Sequence, residues 1–165
     1  MEMDSTVKVR KYQEKDLPSF VEIWNAVVRT ADAFPQKVEL RELESSTFFS
    51  SQSYTAVATR GSEIVGLYIL HPNNIGRCSH IANASYAVKE NHRGEGIGKA
   101  LVTDCLVQAK SLGFRILQFN AVLTTNVVAL KLYHSLGFED LGVVKGGYVK
   151  ADGTFCDIQQ MVKYF

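Results

Sequence analysis

Gly94, Gly96 and Gly98 alternate with Glu95 and Ile97 between two cations, Arg93 and Lys99, where a β-rich run ends and a helical pattern begins. Such a turn suits a phosphate. Glycine admits backbone conformations closed to other residues and lets the chain approach a ligand closely, while the first amides of the following helix point outward, unpaired and partly positive. Two common phosphate loops are excluded by residue type. A Walker loop needs Ser or Thr after its lysine to hold magnesium, and Lys99 is followed by Ala100. A dinucleotide fingerprint needs glycine where Lys99 stands and opens a parallel domain, whereas this turn lies in mid-chain behind a hairpin pattern.

Asn83, in the run Ile81 to Val88 that enters the turn, and Asn120, in Phe114 to Val122, are the other unusual placements. Asparagine is disfavoured inside strands, and its amide needs partners when buried. Two of them beside a phosphate turn suggest a polar site made of neutral groups; the plainer alternative is that backbone or water satisfies both. His71, His80, His92 and His134 share no motif spacing, which favours surface or hydrogen-bonded roles over metal binding, although His80 precedes the strand that carries Asn83. Three cysteines, Cys78, Cys105 and Cys156, are an odd number without CxxC spacing. That argues against a disulfide framework and a zinc site and for a reducing, cytoplasmic setting with no metal.

The elements that must position these groups read as follows. Val7 to Tyr12 alternates as a strand. Asp16 is placed as a helix N-cap with Pro18 in the first turn, and Leu17, Phe20, Ile23, Trp24 and Val27 recur at helical spacing. Val38, Leu40 and Leu43 suggest a second helix, weakened by Ser45-Ser46-Thr47. Tyr54 to Thr59 and Ile64 to Leu70 flank Arg60-Gly61-Ser62-Glu63 as a hairpin. Behind the glycine turn, Ile97, Leu101, Cys105, Leu106, Ala109 and Leu112 mark one helix face, with Gly113 as a left-handed cap. Phe114 to Val122 forms a strand, and Thr124-Thr125-Asn126 opens a helix whose Ala129, Leu132, Tyr133 and Leu136 share a face. Leu141 to Lys150 and Thr154 to Val162 flank Asp152-Gly153, a two-residue hairpin signal. Strand-helix-strand-helix among hairpins predicts an α/β (α+β mixed) protein with a single, mostly antiparallel sheet and helices on its faces.

At 165 residues the chain suits one domain spanning 1–165. Hydrophobic content of 46% with 21% charged residues is ordinary for a globular protein. A net charge of +1 without a basic tract argues against nucleic acid and membrane surfaces as partners. Met1 to Arg10 carries no secretory signal pattern, and the apolar run Ile64 to Leu70 is too short to span a bilayer.

Two motifs in order resemble the GNAT acetyltransferases. Arg93, Gly96 and Gly98 meet the pattern Arg/Gln-x-x-Gly-x-Gly/Ala, and Asn126, Ala129, Leu132, Tyr133, Gly137 and Phe138 follow Asn-x-x-Ala-x-x-Leu-Tyr-x-x-x-Gly-Phe. The resemblance covers most of the chain from about residue 54 onward. It implies a GNAT-like fold and acetyl-coenzyme A as co-substrate, with the pyrophosphate on the backbone of Gly94, Glu95, Gly96, Ile97, Gly98 and Lys99 beside Arg93. It implies that Tyr86, Ala87 and Val88 pair with the pantetheine arm and present an amide to the thioester carbonyl, that Asn126 binds the pantetheine side, and that Tyr133 is the general acid. It also places pairing with a second copy at the C-terminal hairpin.

The acceptor side departs from the family pattern. Ala121 stands where relatives often carry glutamate, and Ile81 to Tyr86 contains no carboxylate. Gly76 to Ala84, Phe119-Asn120 to Asn126 and Val144-Lys145-Gly146 are similar to the branch that acetylates proline analogues such as azetidine-2-carboxylate. That likeness implies that Asn83 and Asn120 bind and polarise a small amino-acid-like amine, and that Tyr86 packs against it. Two readings remain beside this one, a non-catalytic acyl-coenzyme A binding or sensing domain and a protein N-terminal or lysine acetyltransferase.

Overall fold

The computed structural model describes residues 6–165; residues 1–5, part of the segment read for a secretory signal, lie outside the described residues. Among the described residues the strands are β1 (Val7–Lys11), β2 (Tyr54–Arg60), β3 (Glu63–Pro72), β4 (Ile81–Val88), β5 (Ile116–Leu123), β6 (Glu139–Val149) and β7 (Phe155–Tyr164). The helices are α1 (Leu17–Thr30), α2 (Glu42–Ser50), α3 (Ile97–Ser111) and α4 (Val127–Ser135). All strands join one sheet in the order β1-β2-β3-β4-β5-β7-β6, antiparallel except where β4 meets β5. This is the mixed, mostly antiparallel sheet that the strand pattern predicts.

Side-chain alternation along the strands divides the core in two. Ala82 and Ala84 of β4, Leu117 and Phe119 of β5, and Leu101 and Cys105 of α3 are buried together on one face, where Leu132 and Tyr133 of α4 also pack. Val57, Leu67 and Ala87 turn to the other face, under Phe20, Trp24 and Phe49 of α1 and α2. Gly66 lets α3 approach the sheet: a Cβ there would stand 3.0 Å from Ala87 O, Ile97 Cγ2 and Leu101 Cδ1. No helix among the described residues is long and apolar enough to cross a membrane.

Three local expectations change. Asp16 stands at the N-terminus of α1 but makes no side-chain cap there. Its carboxylate instead takes two bonds from the Arg10 guanidinium, both 2.8 Å, and one from Gln13 N at 2.8 Å. The second helix begins at Glu42, beyond Val38 and Leu40, and includes the Ser45-Ser46-Thr47 cluster. Ser45 is tolerated because its hydroxyl donates to Arg41 O at 2.6 Å, while Phe48 and Phe49 anchor the helix against Trp24. The hairpin at Asp152-Gly153 has a longer loop than two residues: Lys150 N donates to Thr154 O at 2.8 Å, and Gly153 takes φ 84°. That is the geometry of a turn completed by one left-handed residue.

Candidate active site

The wedge between β4 and β5 is the first element of the site. The two strands pair in parallel only at Ile81–Ile116 and Ala82–Leu117, after which β4 continues to Val88 against β3 alone. Antiparallel partners exchange hydrogen bonds at every second pair. Asn73 N donates to Ile81 O at 2.7 Å and Lys89 N to Val65 O at 2.9 Å, so the odd-numbered residues of β4 bond to β3. The even-numbered Ala84, Tyr86 and Val88 therefore turn their backbone N–H and C=O groups toward the diverging β5. Backbone groups in such a position need a partner, and an extended amide-bearing ligand would supply one.

At the wide end of the wedge stands the glycine turn. Gly94 and Gly96 have φ of 78° and 79°, the left-handed region that glycine enters without strain. Gly96 caps α3 without any side-chain hydrogen bond, so the first-turn amides of a long helix face outward unpartnered. Arg93 and Lys99 are exposed beside them. Glu95, the carboxylate within the turn, is held by His92 Nδ1 at 3.0 Å and by Arg60, and these contacts, the His92 bond first, lower its pKa. With that charge neutralised, the turn fits a bound pyrophosphate. A cleft of about 390 Å³ opens next to it, lined by Ile23, Ala26 and Val27 of α1 and by Val88, Lys89 and Arg93.

Tyr133 reaches the wedge from α4. Its ring packs against Phe119 at 4.5 Å, Phe138 at 5.5 Å and Tyr86 at 6.4 Å between centroids. Burial, and then the neighbouring Cys105, push its phenol pKa up. Cys105 is itself a buried thiol pushed up to about 12. Asn126 spends its side-chain oxygen on Ala129 N at 3.2 Å and so caps α4, which sets the register of Tyr133 in the helix.

The structure separates Tyr86 from the two asparagines. Asn83 and Tyr86 have opposite parity on β4, and the Tyr86 ring lies in the α3-side core against Tyr68 and Phe119. Its hydroxyl is buried against the Cys105 thiol with no hydrogen bond of normal geometry among the described residues, and desolvation, with Cys105 next, raises its pKa. The expectation that Tyr86 packs against an acceptor beside Asn83 is therefore corrected; the backbone of Tyr86, not its ring, borders the wedge.

Asn83 and Asn120 are brought together on the opposite face, and Asn73 joins them. Asn120 Nδ2 donates to Asn73 Oδ1 at 2.7 Å, Asn73 Nδ2 to Asn120 Oδ1 at 3.1 Å, and Asn83 Nδ2 to Asn73 Oδ1 at 3.3 Å. Gln118 adds a longer bond to Asn120 Oδ1 at 3.4 Å. Asn73 is not among the residues that type and spacing single out in the sequence. The available signal is an amide directly after Pro72, at the end of the strand that pairs antiparallel with that of Asn83. On the same side of the sheet, the buried Tyr148 hydroxyl of β6 donates to Phe34 O at 2.7 Å and ties the loop after α1 to the last hairpin.

The sequence matches the acetyltransferase (GNAT) family over residues 17–138. The chain belongs to that family. The N-acetyltransferase aca1 of Schizosaccharomyces pombe is 34% identical over 116 residues, 70% of this chain and 56% of that protein, so the chain spans little more than half of this GNAT relative. A GCN5-related N-acetyltransferase of Kribbella flavida superposes with a TM-score of 0.88 at 30% identity, over 96% of this chain and 98% of the other. The GNAT superfamily phosphinothricin acetyltransferase of Sinorhizobium meliloti, solved in complex with acetyl-coenzyme A, gives 0.89 at 25% identity over 97% and 89% of the two chains. The wedge, the glycine turn and Tyr133 all lie within the matched residues.

Proposed function

We propose that residues 1–165 act as one acetyl-coenzyme A-dependent N-acetyltransferase domain whose acceptor is a small, amino-acid-like amine, as in the proline-analogue branch of the family. The observation that carries the proposal is the parting of β4 from β5 after Ala82, with the backbone of Ala84, Tyr86 and Val88 unpaired on the β5 side and Tyr133 beside it. When bound, the co-substrate supplies an activated acetyl thioester. The backbone of Gly94 to Lys99 holds its pyrophosphate, with Arg93 and Lys99 adding charge. A β4 amide donates to the carbonyl oxygen as negative charge develops there, a contribution that is large in a site closed to water. Tyr133, kept protonated by burial, donates its phenolic proton to the departing sulfur.

Asn83 and Asn120 bind the acceptor on the far side of the sheet. Neither amide is a base, so the amine is captured neutral or loses its proton to water. The tie between Tyr148 and Phe34 supports a small acceptor over an extended peptide, because it links the segments that flank this face. The likeness to a phosphinothricin acetyltransferase points to the same class of acceptor. Tyr133→Phe tests the chemical step: kcat should fall about a hundredfold or more while the melting temperature stays within a few degrees. An unchanged kcat would remove Tyr133 from the mechanism.

A further inference from the structure

Hydrogen-bond capacity in the asparagine cluster is unevenly used. A carboxamide offers two N–H donors and one oxygen with two lone pairs. The oxygen of Asn73 is filled by donors from both Asn83 and Asn120, and its own nitrogen donates back to Asn120 Oδ1. What remains is one N–H on each of Asn73, Asn83 and Asn120, together with the oxygen of Asn83, which has no partner among the described residues. Three donors and one acceptor suit an amino acid with a neutral amine, whose carboxylate accepts from the N–H groups and whose own N–H donates to the oxygen of Asn83.

Asn73 is well placed to impose this arrangement. Its backbone is fixed to β4 by the 2.7 Å bond from its N to Ile81 O, and Asn74 Oδ1 accepts from Ile75 N at 2.8 Å to stabilise the turn that follows. The oxygen and NH2 ends of an asparagine have nearly the same shape, so without Asn73 the Asn83 amide is free to present either end and Asn120 is oriented only by the 3.4 Å bond from Gln118. Ordering them would then be charged to substrate binding.

We infer that Asn73 is a positioning residue: its carboxamide fixes the orientations of Asn83 and Asn120 and so makes the acceptor site selective for an amine that carries an adjacent carboxylate. The inference rests on the acetyltransferase reading above. A site built to hydrogen-bond a substrate group discriminates strongly against the analogue lacking it. The readout is therefore a ratio, kcat/KM for azetidine-2-carboxylate over kcat/KM for azetidine-2-carboxamide, measured with acetyl-coenzyme A on the full chain. A purely structural defect lowers both terms together and leaves the ratio unchanged.

Asn73→Leu should lower the ratio about tenfold, and Asn83→Leu should lower it similarly, with the double variant no worse than either because the two act as a unit. Asn73→Asp is a second variant that retains the volume and the oxygen; its charge repels the substrate carboxylate, and the ratio should fall at least as far. Side-chain amide NMR gives a reading without turnover: the Asn83 and Asn120 NH2 signals should shift on adding azetidine-2-carboxylate, and less so in Asn73→Leu. Ratios unchanged in both Asn73 variants, with Asn83→Leu still effective, overturn the inference and leave the function intact. A wild-type chain that acetylates neither compound overturns both.

Discussion

Burial raises the Tyr133 phenol above its ordinary value of 10.0, with Cys105 adding to the effect, so the group remains a proton donor through the neutral and mildly alkaline range. The loss of the acid at high pH should begin only above pH 10. With alanine at 121 and no carboxylate in Ile81 to Tyr86, the rising limb of kcat/KM against pH should follow the pKa of whichever amine is supplied. A limb that stays in place when the amine is changed would reveal a protein base. Asp16 tests stability at the same scale. The Arg10 guanidinium, as the largest cause, holds its carboxyl below the usual 3.8. A depressed folded pKa means that the stabilisation is present above that value and lost as acid protonates the group. Asp16→Asn should cost about 1.5–3 kcal/mol at pH 7, and denaturant unfolding should show the gap closing as pH falls below 3.8. A gap that stays constant from pH 7 into that range would show that the ion pair is not its source.

At the scale of elements, the site depends on where β4 ends and how closely α3 is seated. Gly66 is the seat: Gly66→Ala would press a methyl group against a backbone oxygen and two side chains at 3.0 Å. Overpacking of that kind costs about 1–3 kcal/mol, and an unchanged unfolding midpoint would mean that α3 shifts freely. Much of this level was legible in the sequence. The periodicity of Ile97, Leu101 and Cys105, the glycine caps and the Asn126 cap all act locally, within one or two turns of chain. Tyr86 was misjudged although its parity was readable, since period-2 alternation sends residues 83 and 86 to opposite faces. Asn73 was not legible as a site residue, because nothing local announces that its amide meets Asn120, 47 positions away. The Phe34–Tyr148 bond spans 114 positions and is likewise a product of the assembled fold.

Across the whole molecule, one sheet separates two kinds of chemistry. The α3 and α4 face carries the aromatic cluster and Tyr133, while the opposite face carries the neutral carboxamides of Asn73, Asn83 and Asn120. The glycine turn stands at one end of β4 and the asparagines at the other, so the strand itself spans from the proposed phosphate site to the proposed acceptor site. That layout makes acetyl transfer from acetyl-coenzyme A to a small amine the central claim. Its most direct test is the rate of free thiol release from acetyl-coenzyme A when the chain is offered a panel of amino acids, their cyclic analogues and a peptide. The account predicts turnover with small amino-acid-like amines, cyclic ones included, and none with the peptide; cofactor binding without thiol release above background, or release with the peptide alone, would contradict it.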